Sequence, residues 1–368
     1  MRLFIGGDIC PTPDTAQGFA SGDVRALFGT VCDLVRDADI FFINLECAVT
    51  GCDAPIRKIG PNLRGPVETA ATLRALGVTA AGLSNNHTFD FGEKGLEDTK
   101  RLLAEAGIRY TGVGENEAAA RVPLTAEAGG KRIAFVCVCE HEYSYAKPDR
   151  PGTWGFDPFE TMEDIARAAE ESDYTVVLYH GGKEQCEVPS PRLRRACRAM
   201  VRAGADLVLC QHSHCIGSEE VWLGKTILYG QGNFNFIEHN GNRQWTRGLL
   251  LEIRFGTGEP EILHHPVVVT GTGITLAEGE DKDAILREFR ERSEWLRNGR
   301  WTEEWRRFCE EHREGYTLAA VGGGEGSGKD EAERQPAERF RHYLDCEAHL
   351  DVWHELFPTR HGEGTDEK

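Results

Sequence analysis

Residues 174–214 read YTVVLYHGGKEQCEVPSPRLRRACRAMVRAGADLVLCQHSH. Two apolar runs, YTVVLYH and ADLVLCQHSH, enclose a stretch where Leu193, Ala196, Cys197, Met200 and Val201 fall at i, i+3, i+4, i+7 and i+8. That spacing is one apolar helix face. The unbroken apolar runs suit strands covered on both faces. Strand, helix and strand in this order are the α/β signature. Both runs close on histidine: His180 after the first, His212 and His214 after the second.

The same ending recurs on either side. RLFIGGD closes on Asp8, DIFFINLE on Asn44 and Glu46, VTAAGLSNNH on Asn86 and His87, and KTILYGQGNF on Asn233. GLEDTKRLLAEAG predicts a helix over 95–107 with a glycine stop. Residues 247–270 and the run ARVPLTAEAGGKRIAFVCV each read as two antiparallel strands about a glycine turn, so the sheets are expected to be mixed. From about residue 281 the chain turns to charged helices. Trp301, Trp305, Phe308 and Cys309 share one face, and a second helix is expected near 337–357. A flexible Gly-rich loop is expected between them near 321–335. The expected division is a main domain over 1–278 and a helical extension over 279–368.

The 368-residue chain is 40% hydrophobic and 28% charged, an ordinary globular balance. Its formal net charge of -18 repels nucleic acid and anionic membranes. Neither is expected as a partner, whereas a homo-oligomer is compatible with the sequence. An anionic small-molecule or polymer substrate needs a local reversal of that field, which bound divalent metals supply. MRLFIGGD lacks the apolar core of a signal peptide, and no run of 18 apolar residues occurs, so a cytoplasmic location is expected. Twelve cysteines occur without a CxxC pair, which favours free structural thiols.

In α/β sheets, ligands bind beyond the carboxyl ends of the strands. Imidazoles, carboxylates and an amide carbonyl suit a borderline metal pair such as manganese, zinc or iron. Glu46 is the natural bridging carboxylate. His212 and His214 share a face if they lie on a strand; on a turn they diverge to two ions. Two ions can clamp both oxygens of a displacement and activate water. His87 is the expected general acid, oriented by Asp90. Lys183, Glu184 and Asn233 are candidates for substrate contact. So is Arg64 in PIRKIGPNLRGP, whose planar fork suits carboxylate or phosphate. Glu140, His141 and Glu142 follow another strand end. Arg192, Arg194, Arg195, Arg198 and Arg202 are expected on a solvated helix face.

The ordered segments GGDICP, INLECAVT, LSNNHTFDFG, YHGGKE, AGADLVLCQHSH and LYGQGNF, within residues 1–240, resemble the CapA family. That family is named for capsule and poly-γ-glutamate synthesis and is similar to calcineurin-like metallophosphatases. The resemblance implies a four-layer αββα fold. It also implies metal ligands at Asp8, Glu46, Asn86, His180, His212 and His214, with His87 in the Asn-His motif. Where the metallophosphatase pattern reads Asp-x-His, this chain has Asp8-Ile9-Cys10, which offers Cys10 as a thiolate ligand favouring zinc. Glu46, Asn86, His180 and His212 are expected around one ion, with Asp8 and His214 completing a second. The implied activity is a metal-bound hydroxide attacking a phosphoester or a γ-glutamyl amide. The alternatives are a non-catalytic accessory protein of polymer synthesis, and a nucleotidase or phosphodiesterase.

Overall fold

A computed structural model describes residues 1–239, 241–321 and 336–358. Fourteen strands matter to the site. They are β1 (Arg2–Ile9), β2 (Ile40–Leu45), β3 (Ala80–Gly82), β4 (Arg109–Thr111), β5 (Leu124–Ala128), β6 (Lys131–Cys139), β7 (Tyr174–His180), β8 (Leu207–Gln211), β9 (Glu219–Trp222), β10 (Lys225–Leu228), β11 (Asn233–Asn235), β12 (Arg247–Arg254), β13 (Glu261–Thr270) and β14 (Gly273–Leu276). The first sheet has the order β14-β13-β12-β1-β2-β3-β4, with β11 pairing the end of β1. The second has the order β9-β10-β8-β7-β6-β5. β1 to β4 run parallel, as do β6, β7, β8 and β10. The hairpins β12–β13 and β5–β6 are antiparallel, as expected. The second turns through Gly129 and Gly130 at φ 57° and 74°, a left-handed pair that glycine adopts without strain.

Helices α1 (Ala16–Ser21), α2 (Val24–Phe28), α3 (Val31–Val35), α4 (Thr69–Leu76) and α5 (Gly92–Glu105) form a core with the outer face of the first sheet. A short α6 (Glu117–Ala120) precedes α7 (Glu160–Glu170) and α8 (Pro191–Ala203). The last two cover the second sheet, together with parts of α9 (Gly279–Asn298), α10 (Trp301–Ala320) and α12 (Glu347–Leu356). A third core, made of Leu3, Ile5, Phe42, Phe135, Val176, Leu178 and Leu209 among others, lies between the sheets. Three cores separate four layers, so the expected αββα order is present. Phe42 and Phe135 stack across the sheet interface with centroids 4.5 Å apart. Phe135→Ala removes a ring with no solvent exposure and is expected to lower unfolding free energy by about 3–5 kcal/mol in urea titration.

α8 shows how sequence sets a boundary. Ser190 accepts the Leu193 N–H at its N-cap, Pro191 takes the first turn, and Gly204 closes the C-terminus at φ 123°. Leu193, Cys197, Met200 and Val201 are buried, as the periodicity predicts. The opposite face corrects the expectation of a solvated basic strip. Arg194 and Arg198 grip Glu220 at 2.9 and 2.6 Å and lie over Trp301 and Trp222. Arg192 reaches Glu140 and Asp351. Arg195 and Arg202 remain exposed.

Burial alone would raise the Glu220 carboxyl. The hydrogen bonds from Arg198, Arg194 and Tyr229 outweigh it and bring it from 4.5 to about 2. A depressed carboxyl stabilises the fold above its unfolded pKa and loses that effect as pH falls. The melting-temperature gap between wild type and Glu220→Gln is therefore expected to be full above pH 4.5 and to close between 4.5 and about 2.

The single helix expected near 337–357 is two, α11 (Pro336–Asp345) and α12, broken at an extended Cys346. The expected Gly-rich loop lies, apart from Val321, outside the described residues. All twelve cysteines are free thiols. Among the described residues no helix is long and apolar enough to cross a membrane.

Candidate metal centre

Every strand bearing a candidate ligand presents it at its carboxyl end. Asp8 is the penultimate residue of β1, and Glu46 follows β2. Asn86 and His87 lie past β3, His180 ends β7, and His212 and His214 lie just past β8. The GG of RLFIGGD has a clear purpose. The β1–β2 register shifts between Ile5 and Asp8, and a Cβ on Gly7 would meet the Gly232 carbonyl at 2.3 Å. That close approach brings β1 and the turn before β11 together beside Asp8.

Two buried groups can each supply three ligand atoms within 4.8 Å of one another: Asp8, Glu46 and His180, and Glu46, His212 and His214. Glu46 is common to both. Asn86 joins the first, with Oδ1 3.0 Å from His180 Nε2. This regroups the expected sets, because His212 falls with His214 rather than with His180. Both residues sit on the turn, and both approach Glu46 instead of diverging. His212 and His214 have φ of 84° and 52°. Left-handed backbone at non-glycine residues stores strain of about 1–3 kcal/mol each, and such strain clusters at functional sites.

Glu46 has 0% exposure, and neither carboxylate oxygen accepts a hydrogen bond from the described residues. Burial, then the Asp8 charge, hold its carboxyl well above the usual range. Burial pushes His212 far down, helped by His180 and His214. At His214 the Glu46 and Asp8 carboxylates overcome burial and raise the imidazole. A buried carboxylate with two orphaned oxygens among imidazoles is the donor chemistry that cations satisfy. The residues present therefore fit a divalent pair.

The neighbours of this set include Asn44, marked at the end of β2, and Asn85, which the sequence did not mark. Asn44 Nδ2 lies 2.7 Å from Asp8 Oδ1 and 3.2 Å from His180 Nδ1. Asn85 donates to Leu45 O and Asn44 Oδ1, and its own Oδ1 accepts the N–H of His87 and of Thr88. It ties the ends of β2 and β3 together. His87 Nδ1 faces Asp90 Oδ2 at 2.7 Å. Lys58, 5% exposed, pairs with Asp90 Oδ1 and lies 3.1 Å from His87 Nδ1. Lys58, Asp90 and His87 thus form a buried triad. Burial and the Lys58 charge bring His87 to about 4 despite Asp90. The imidazole is therefore neutral at pH 7. With its Nδ1–H assigned to Asp90, Nε2 keeps a lone pair. The N-cap of α5, Phe91 at the end of the NNHTFDFG segment, makes no side-chain hydrogen bond.

Three expected roles are corrected. Cys10 stands outside both ligand groups and lies in the helix-side core beside Cys47, where burial holds its thiol up. Arg64 bonds Asp53 and Cys52 O and lies over Phe91, away from the cavity described below. Asn233 Oδ1 takes His214 Nδ1 at 2.9 Å, so it orients an imidazole rather than facing substrate.

A cavity of about 500 Å³ opens over the set. Lys58, Asn86, His87, Glu142, Lys183, Glu184 and His212 line one part. Residues of α10, α11 and α12 line the rest, so the C-terminal helices roof the site. Burial pushes Glu142 up to about 7. The roof is latched down: Glu338 pairs with Arg57 at 2.7 Å, Glu347 takes the His141 N–H, and Asp351 takes Ser190 and Arg192. Glu140 meets the Arg192 end of this latch rather than the cavity.

The model of the family described as bacterial capsule synthesis protein PGA_cap matches residues 2–238, well over half of the chain. The chain belongs to this family. Among relatives of the PGA_cap chain, the capsule biosynthesis protein CapA of Bacillus anthracis is 32% identical over 192 residues, covering 50% of this chain and 46% of that protein. The PGA biosynthesis protein CapA of Bacillus subtilis is 32% identical over 184 residues, covering 49% and 47%. The chain spans about half the length of these curated relatives. A hypothetical protein of Thermus thermophilus matches in structure at TM-score 0.45 and 18% identity, over 72% of this chain and 99% of that one. In this PGA_cap member the family match holds every candidate ligand, while the roof lies beyond it.

Proposed function

We propose that this chain is a metal-dependent hydrolase of the capsule and poly-γ-glutamate synthesis family, acting on a phosphoester or a γ-glutamyl amide. The observation that carries the reading is Glu46, a fully buried carboxylate that accepts no hydrogen bond at either oxygen and is shared by two ligand groups. Asp8, Glu46 and His180, with Asn86, would hold one ion, and Glu46, His212 and His214 the other. When bound, such ions supply Lewis acidity and activate water. His87 works at Nε2. It takes a proton as the entering oxygen bonds and returns it to the leaving atom, with Asp90 holding the ring. Lys58 neutralises Asp90. The roof excludes bulk water.

The accessory alternative predicts polymer-synthase binding without turnover. The nucleotidase alternative needs a slot for a base. Tyr343 and His349 do line the cavity, but they stack on each other at 4.3 Å, which leaves no room between them. The test is metal analysis of purified protein followed by a screen against phosphomonoesters, phosphodiesters and γ-linked glutamate oligomers. Protein that takes up no manganese, zinc or iron and turns over none of these would overturn the hydrolase reading.

A further inference from the structure

The roof adds a wall that the ligand set does not explain. His342 of α11 is held by rings alone. It stacks on Tyr143 at 5.7 Å and meets His349 edge-on at 5.0 Å. Among the described residues its ring nitrogens have no hydrogen-bond partner, although burial brings it to about 4 and leaves it a neutral donor. His349 of α12 is anchored at Nδ1 by the Tyr316 hydroxyl, 2.6 Å away, and lines the same cavity. Lys183, on the loop after β7, also lines it, and its ammonium makes no ion pair with a described residue. Glu142 and Glu184 also line the cavity, so the wall offers hydrogen-bond donors rather than net charge: two neutral imidazoles and one ammonium. The cavity of about 500 Å³ also exceeds what one compact oxyanion at His87 fills.

We propose that His342 and His349, with Lys183, form a specificity wall that holds a second anionic group of the substrate, set apart from the group that reacts. This rests on the hydrolase reading for its placement, but it is a statement about binding. Substrates carrying a carboxylate or phosphate away from the scissile bond are selected, and compact monoanions are not.

The probes are phenylphosphonate and 4-carboxyphenylphosphonate, which are not turned over, titrated calorimetrically into manganese-loaded full-length protein. Wild type is expected to bind the carboxylated probe about tenfold more tightly. His342→Ala and Lys183→Ala are expected to erase that advantage while moving phenylphosphonate by less than about twofold. His342→Gln, which keeps a donor, should retain part of it. Trp353 fluorescence and the melting temperature report whether the roof stays docked. If His342→Ala undocks it, Lys183→Ala decides, because that residue lies outside the roof. Equal affinity for both probes in wild type, no binding of either, or an equal loss of both in Lys183→Ala overturns the wall. Turnover of esters or amides without any carboxylate preference would leave the hydrolase standing and the wall refuted.

Discussion

Glu46→Gln is expected to raise the melting temperature of metal-stripped protein and to lower that of metal-loaded protein, both relative to wild type. The substitution keeps the shape and removes the charge. In stripped wild type, Glu46 is a carboxylate at 0% exposure that accepts no hydrogen bond, with His180 and His214 Nε2 3.4 and 3.7 Å from Oε1, and it is held high by burial and then by Asp8. An unsatisfied buried polar group costs about 1–3 kcal/mol, and more when charged. A raised carboxyl pKa destabilises increasingly as pH rises above the ordinary 4.5, so the gain from glutamine should be larger at pH 8 than at pH 5. Loading reverses the order. An ion at a hundredfold excess over its Kd stabilises wild type by about 2.7 kcal/mol, and the variant, lacking the carboxylate common to both groups, gains little. Calorimetric melts with and without chelator should therefore cross. Parallel shifts in both states would mean that Glu46 binds no cation.

His87→Ala is expected to reduce kcat by about 10²–10⁴ with metal content unchanged. The ring touches no member of the two ligand groups as a ligand, and its partners are Asp90 and Lys58. Removing it deletes proton transfer at Nε2 and leaves substrate attraction intact, so KM should move little. Asp90→Asn should follow in direction with a second symptom. Lys58, 5% exposed, would lose its counter-charge, and breaking a buried pair destabilises by about 3–5 kcal/mol. A His87→Ala protein with unchanged kcat on the best substrate found would remove His87 from the chemistry.

The strand ends were legible because one rule governs them. An apolar run buried on both faces must end where the sheet ends, and polar residues there have nowhere to go but the crevice. Asp8, Glu46, His180, His212 and His214 all follow from that. Lys58 did not, since its partners His87 and Asp90 lie 29 and 32 residues away across a loop with no periodicity. Arg64 looked suitable by chemistry, but Asp53 and Cys52 O satisfy it locally. Cys10 sits two residues after a ligand, yet strand alternation past Asp8 did not reveal that its thiol meets Cys47 in the core. The basic face of α8 misled for a related reason: periodicity separates apolar from polar, and does not tell water from a buried Glu220 or Asp351. The break at Cys346 also escaped, because the residues on either side keep helical character.

The position of β1 has a consequence for the order in which the molecule is made. It is the first strand of the chain and an interior strand of its sheet, paired to β2 on one side and to β12 on the other, with Arg2 opposite Arg254. A ribosome delivers these partners some 250 residues apart. Until the later one emerges, β1 exposes an open edge of the kind that recruits other chains. Such distant pairing also slows folding. All the candidate ligands, from Asp8 to His214, are thus synthesised before the strand that seats the first of them. A nascent chain halted after residue 214 would carry the whole set without the architecture that converges it, so cation capture belongs to the completed fold rather than to its emerging half.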